Sequence, residues 1–215
     1  CGWLGSFAVA TGIFSGMKLK PDAQQVLDQL GLEKQAVIID AVDQAREDLS
    51  VYRTTFPHWH IRFSQRYISN FLHERIWAVL VESFDGDDST DVIDREPSRL
   101  IRSDGIEMRV KRHSEQNIVS SYPTQTAIKW FGNQEALPEL AMLNISIGYQ
   151  WIKDEEQVGP AVIACPKGLG KAAEWAVILE RNAETAAIEP RGIENPEIAK
   201  LDLSALIANE ESEGA

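Results

Sequence analysis

The chain has almost no cysteine: Cys1 at its terminus and the distant Cys165 are the two in 215 residues. No disulfide framework can hold such a fold, and so few thiols fit a reducing compartment, with the cytoplasm as the expected location. Positive charge is also scarce. The 21 Lys and Arg residues face 33 Asp and Glu, for a formal net charge of -12. That balance excludes a general polyanion binder, because phosphate contacts require concentrated cations, and leaves only a local basic patch for nucleic acid. Apolar runs long enough for a bilayer are missing too, so no membrane span is expected. The uncharged stretch "CGWLGSFAVATGIFSG" (residues 1–16) is too short, and it lacks the initiator Met and the Lys/Arg flank of a secretory signal. It reads as a non-native or flexible leader before a start at Met17; a lipidated Cys1 tethering the domain is the alternative.

Complete chemical signatures are absent as well. There is no G-x-S-x-G elbow, no helical i, i+4 His pair, and no His near Cys165 in sequence. In "IACPKGLGKA" the phosphate-loop register puts Cys165 where the first Gly belongs and Ala172 where the magnesium-binding hydroxyl belongs, so a Pro-Gly turn between strands is expected there. The stretch "FDGDDSTDVIDRE" places Asp85, Asp87, Ser89 and Glu96 at EF-hand positions 1, 3, 5 and 12. Thr90 stands where the loop needs Gly, and Pro97 follows where the exiting helix should run, so the stretch reads as a solvated acidic linker. His58 and His60 share one side of an extended segment, with His73 or Glu74 as remote third ligands, and packing or surface roles are the expectation. No metal and no cofactor are expected.

What is present is ordinary globular chain, 44% hydrophobic and 25% charged, long enough to bury a sizeable core. Pro21 can open a helix that stops at Gly31, and a second helix follows with Val37, Ile38, Ala41, Val42, Ala45 and Leu49 at helical spacing. From Ser64, an N-cap candidate, helical periodicity resumes through Tyr67, Ile68, Phe71, Leu72, Ile76, Val79 and Leu80. After the acidic stretch the period changes from helical to alternating. Asp104-Gly105 separates two strand-like runs, a β-hairpin with Ile106, Met108 and Val110 on one side and Glu107, Arg109 and Lys111 on the other. A short helix closing at Gly132 follows. "LNISIGYQWI" then alternates with Ile145, Ile147, Tyr149 and Trp151 inward, and "PAVIAC" and "EWAVILE" read as further strands.

The expected fold is α+β, with N-terminal helices packed on a mostly antiparallel β-sheet carrying one inserted helix. The organisation reads as a leader at 1–16, a helical part at 17–84, an acidic linker at 85–97, a β-rich part at 98–180 and an acidic tail at 181–215. In that tail Ile198, Leu201, Ala205 and Leu206 form an apolar edge able to dock.

Arg99, Arg102, Arg109, Lys111 and Arg112 oppose only Asp104 and Glu107 on the hairpin, in a chain that is otherwise acidic. With Lys129 they are the candidate partner- or phosphate-binding residues. Trp59, Trp77 and Trp130 read as exposed aromatics of the type enriched at interfaces. The functional expectation is a non-enzymatic intracellular interaction or regulatory protein that binds a protein partner or self-associates, for example as one member of a toxin–antitoxin or defence pair. The alternative is a nucleic-acid binder or metal-dependent nuclease using the basic hairpin. In element order the chain resembles the restriction-endonuclease-like nucleases, which implies Glu82, Asp104 and Glu107 as available acids; Arg109 stands where that motif needs a Lys.

Overall fold

Apolar residues at helical spacing build α1 (Ala23–Thr55), and Gly31 divides it. Gly31 takes φ 72° and ψ 163°, a left-handed excursion open to glycine without steric cost, so one helix stops there and the next begins. Pro57 opens the one-turn α2 (Pro57–His60), and the Ser64 hydroxyl caps α3 (Gln65–Phe84) by accepting the Tyr67 N–H. The computed structural model describes residues 22–95, 98–132 and 142–193. The expected leader, Met17, Pro21, Glu96, Pro97 and the apolar edge from Ile198 to Leu206 lie outside the described residues.

The strands are β1 (Thr90–Arg95), β2 (Ser98–Ser103), β3 (Ile106–His113), β4 (Val119–Ser120), β5 (Leu143–Ile152), β6 (Gln157–Cys165), β7 (Trp175–Arg181) and β8 (Ile188–Gly192), with α4 (Gln125–Gly132) between β4 and β5. They form one sheet in the order β1-β2-β3-β5-β6-β7-β8, and β4 pairs with the end of β3. Asp104 (φ 50°) and Gly105 (φ 78°) make the tight turn of the β2–β3 hairpin, where two positive φ values match the twist of the flanking strands. Only β3 and β5 run parallel, because the chain crosses over through α4 before returning beside β3. The fold is therefore α+β, with helices on a mostly antiparallel sheet.

Alternation decides what each face of the sheet meets. Ile106, Met108 and Val110 of β3 join Ile145, Ile147, Tyr149 and Trp151 of β5 and the buried stripes of α1 and α3 in one apolar cluster. At about 1.5–3 kcal/mol for each large side chain buried, this cluster is the main source of stability. The opposite face holds two smaller clusters, one of them Val119, Ala127, Trp130 and Phe131 beneath α4.

Three expectations need correction. Half of the expected acidic linker at 85–97 is strand β1: Val92 sits opposite Ile101 and Asp94 opposite Arg99, whose guanidinium it accepts at 2.9 Å. Opposite charges across a strand pair let an acidic run enter a sheet. The expected tail from residue 181 begins with structure as well, since Arg181 ends β7 and pairs with Asp40, while β8 forms the sheet edge, where Pro190 is tolerated. Finally, Trp77 and Trp130, expected at the surface, are 3% and 2% exposed; of the three tryptophans only Trp59, at 58%, is open to solvent.

Candidate functional site

The strand period divides the hairpin cations between two faces and two environments. Arg99 turns toward the helices, where Nη1 donates to both Glu74 carboxylate oxygens at 2.7 Å and the guanidinium lies 5.8 Å from the Trp77 ring. The hydrogen bond to Glu74, and after it the one to Asp94, raise its pKa. Arg112 also turns to that side and donates to Ser69 Oγ at 2.9 Å. Arg102 and Arg109 point to the other face and share Glu107, at 3.0 and 3.3 Å. Lys111 follows them there, with Nζ 3.4 Å from Ser121 Oγ. Lys129 is exposed on α4. The six residues do not make one continuous basic face. Of the six, Arg99, Arg102 and Arg109 are held in ion pairs.

The opposite-face row of β3 carries strongly perturbed groups. Burial pulls Lys111 down to about 8, and the nearby Arg109 charge adds to this. Burial likewise takes His113, which is fully enclosed, down to about 3, so its ring is neutral near neutral pH. Arg109 lies 5.2 Å from the Trp130 ring, a cation–π arrangement under α4. Across the parallel pairing Gly148 faces Lys111, and a Cβ there would stand 2.1 Å from the Lys111 carbonyl oxygen; only glycine fits.

Of a second region the sequence reading named only Trp59 as an interface-type residue. Between Asp48 and Glu74 the chain contains no Asp or Glu, yet it carries Arg53, Arg62 and Arg66 with Tyr52, Phe56, Trp59, Phe63, Tyr67 and Phe71. The end of α1, all of α2 and the start of α3 fold this stretch into a corner. Tyr52 sits 5.9 Å from Phe63 and 5.5 Å from Phe71, Phe56 stacks on Trp59 at 4.8 Å, and Phe63 meets Tyr67 at 3.9 Å. Trp59 (58%), Ile61 (81%), Phe56 (41%) and Tyr67 (43%) remain exposed. Arg53 donates to the Glu156 carbonyl at 2.7 Å and Gln65 to the Glu156 carboxylate at 3.2 Å, which marks one rim. Arg62 and Arg66 are exposed and pair with no carboxylate among the described residues. The signal available in the sequence was the gap in acidic residues; His58 and His60 drew attention there only as metal candidates.

The remaining motifs resolve into local structure. Asp87 accepts from the Thr90 hydroxyl at 2.6 Å and from the Ser89 hydroxyl and amide, which holds it down at about 2 and makes it a turn-forming residue between α3 and β1. The loop after Cys165 joins antiparallel β6 and β7, so no helix stands behind it to receive a phosphate. An open groove of about 320 Å³ beside it is lined by Lys167, Lys171, Ala172, Ala173 and Glu174, with Lys167 3.7 Å from Glu174. Among the described residues no group of three or more His, Cys, Asp and Glu side chains is placed to hold a metal ion. Of the acids the nuclease resemblance implied, Asp104 pairs with Lys34 at 3.2 Å on α1, Glu107 faces away from the helices, and Glu82 is exposed on α3. Among the described residues no helix is long and apolar enough to cross a membrane. No known protein family, curated protein or solved structure matches this chain.

Proposed function

We propose that this is a non-enzymatic interaction protein that binds acidic, apolar-edged protein segments through the α1–α2–α3 corner. The observation that carries this reading is the exposed Trp59 and Ile61 beside Arg62 and Arg66, which pair with no carboxylate among the described residues, in a chain of net charge -12. Aromatic and arginine side chains supply most of the energy at protein interfaces, and charge complementarity sets which partner is accepted. The occupant we assign is the chain's own residues 194–215, which carry six acids against one Lys and the apolar residues Ile198, Leu201, Leu203, Leu206 and Ile207. Docked in the same molecule or on a second copy, this segment would hold the corner until a stronger acidic partner displaced it.

The hairpin is the weaker candidate for a macromolecular surface because its cations divide between two faces and three are tied to carboxylates. Hydrogen exchange on the full chain tests the proposal. Amides in 194–215 should exchange slowly in the wild type and several-fold faster in the Arg62→Glu, Arg66→Glu double variant, with added salt acting in the same direction. Equal, unprotected exchange in both proteins would remove the proposal. Tight binding of random DNA or RNA that Arg62→Glu and Arg66→Glu abolish would assign the corner to nucleic acid instead.

A further inference from the structure

On the sheet face turned away from α1 and α3, Glu107, Arg109, Lys111 and His113 form one row along β3, with Trp130 of α4 beside Arg109 and Ser121 beside Lys111. Arg109 Nε, Trp130 Nε1 and both ring nitrogens of the fully buried His113 are enclosed without a hydrogen-bond partner among the described residues. Lys111 makes no ion pair among them, and its Nζ contact to Ser121 Oγ is long at 3.4 Å. Among the described residues Glu107 alone answers Arg102 and Arg109, which leaves positive charge in excess among them. Buried polar groups in folded proteins are nearly always paired, so the orphaned Arg109 Nε–H and Trp130 Nε1–H, in the same region as a Lys111 with no ion pair among the described residues, call for an acceptor.

We propose that the Arg109–Lys111 row is a binding site for a small phosphate-type anion, with Lys111 as the point charge, Arg109 as the planar donor and Ser121 as a hydroxyl ligand. A tetrahedral anion offers several acceptor oxygens and a charge that offsets Lys111, which a neutral ligand would leave half-buried without a counter-charge among the described residues. Gly148, opposite Lys111, places no side chain over the row. The Trp130 ring lies 5.2 Å from the Arg109 guanidinium, whose donors are planar by resonance. This site is separate from the α1–α2–α3 corner and stands or falls without it.

Calorimetry and thermal shift on the full chain test it, with inorganic phosphate and adenosine monophosphate as the two probes. Phosphate should bind and raise the melting temperature; Lys111→Met should weaken binding about tenfold or more, the loss of one charge-assisted contact, while Lys111→Arg retains most of it. Lys111→Met removes a buried charge, so it is expected to fold, and circular dichroism checks that it does; Ser121→Ala gives an independent, smaller loss. Tighter binding of the nucleotide than of free phosphate, lost in Lys111→Met, assigns the phosphoryl group to a larger molecule within the same proposal. The Arg62→Glu, Arg66→Glu variant should bind phosphate as the wild type does. No binding of either probe by the wild type at tens of millimolar, or equal binding by Lys111→Met, overturns the proposal.

Discussion

At the helical corner, arginines stand in solvent beside exposed aromatic and aliphatic side chains; on β3 Arg109 and Lys111 are half-buried, Arg109 against the Trp130 ring of α4, with Glu107 the one carboxylate paired with either among the described residues. Both regions are positive patches in an acidic chain, and composition alone would rank the hairpin first. Their physics differs. An exposed arginine keeps its hydration and its side-chain freedom until a partner arrives, so it costs the fold little and supports long-range attraction. A half-buried lysine without an acid has lost hydration already and stores an unfavourable term that a small anion can offset. Exposure therefore separates a surface for a macromolecule from a site for an ion.

Breaking the backbone under the buried region should have the largest effect. Gly148→Ala forces a Cβ to 2.1 Å from the Lys111 carbonyl, against backbone that cannot give way. We expect a loss of about 4 kcal/mol or more, measured by denaturant unfolding, because β3 and β5 must separate to relieve the clash.

Acid should act next, through His113. Its folded pKa of about 3 lies below the value near 6.5 of an unfolded imidazole. The unfolded chain therefore binds more protons as pH falls through 6.5 toward 3, and stability present above 6.5 is lost across that window. Between pH 7 and pH 4.5 the wild type should lose roughly 2–3 kcal/mol more than His113→Leu, read from urea midpoints at each pH.

Lys111 should show a smaller effect of its own sign. With a folded pKa of about 8 against about 10.5 unfolded, the folded chain gives up its proton first, so stability rises with pH between 8 and 10.5 and the full penalty applies below 8. Lys111→Met should gain roughly 1–2 kcal/mol at pH 7 and lack the rise above pH 8. The smallest effect belongs to the corner, where Trp59→Ala should alter stability by no more than about 0.5 kcal/mol while weakening docking.

What was legible in the sequence had short-range causes. Asp104-Gly105 announces a tight hairpin, Gly31 a helix break and Ser64 a cap, and each needs only neighbours in sequence to act. The alternation of β3 correctly separated Ile106, Met108 and Val110 from Glu107, Arg109 and Lys111. What failed depended on distant partners. "TDVIDR" becomes a strand because Arg99 and Ile101 lie across from it, and Trp77 and Trp130 are buried by elements remote in the chain. The basic hairpin was read as one patch because Arg99 and Arg112 were counted with their neighbours, although strand geometry turns them to the helix side. The corner, of which only Trp59 was read, was otherwise missed for a different reason: its mark is the lack of acids over a long interval, which no local motif records.

The most direct test of the account is oxidative footprinting of tryptophan in the full chain and in a chain ending at residue 193. Trp130, 2% exposed beneath α4, should stay protected in both and serves as the internal reference. Trp59 should be protected in the full chain and become several-fold more reactive when residues 194–215 are removed, because the proposed docking seats that segment on the corner. Equal reactivity of Trp59 in the two chains would contradict it.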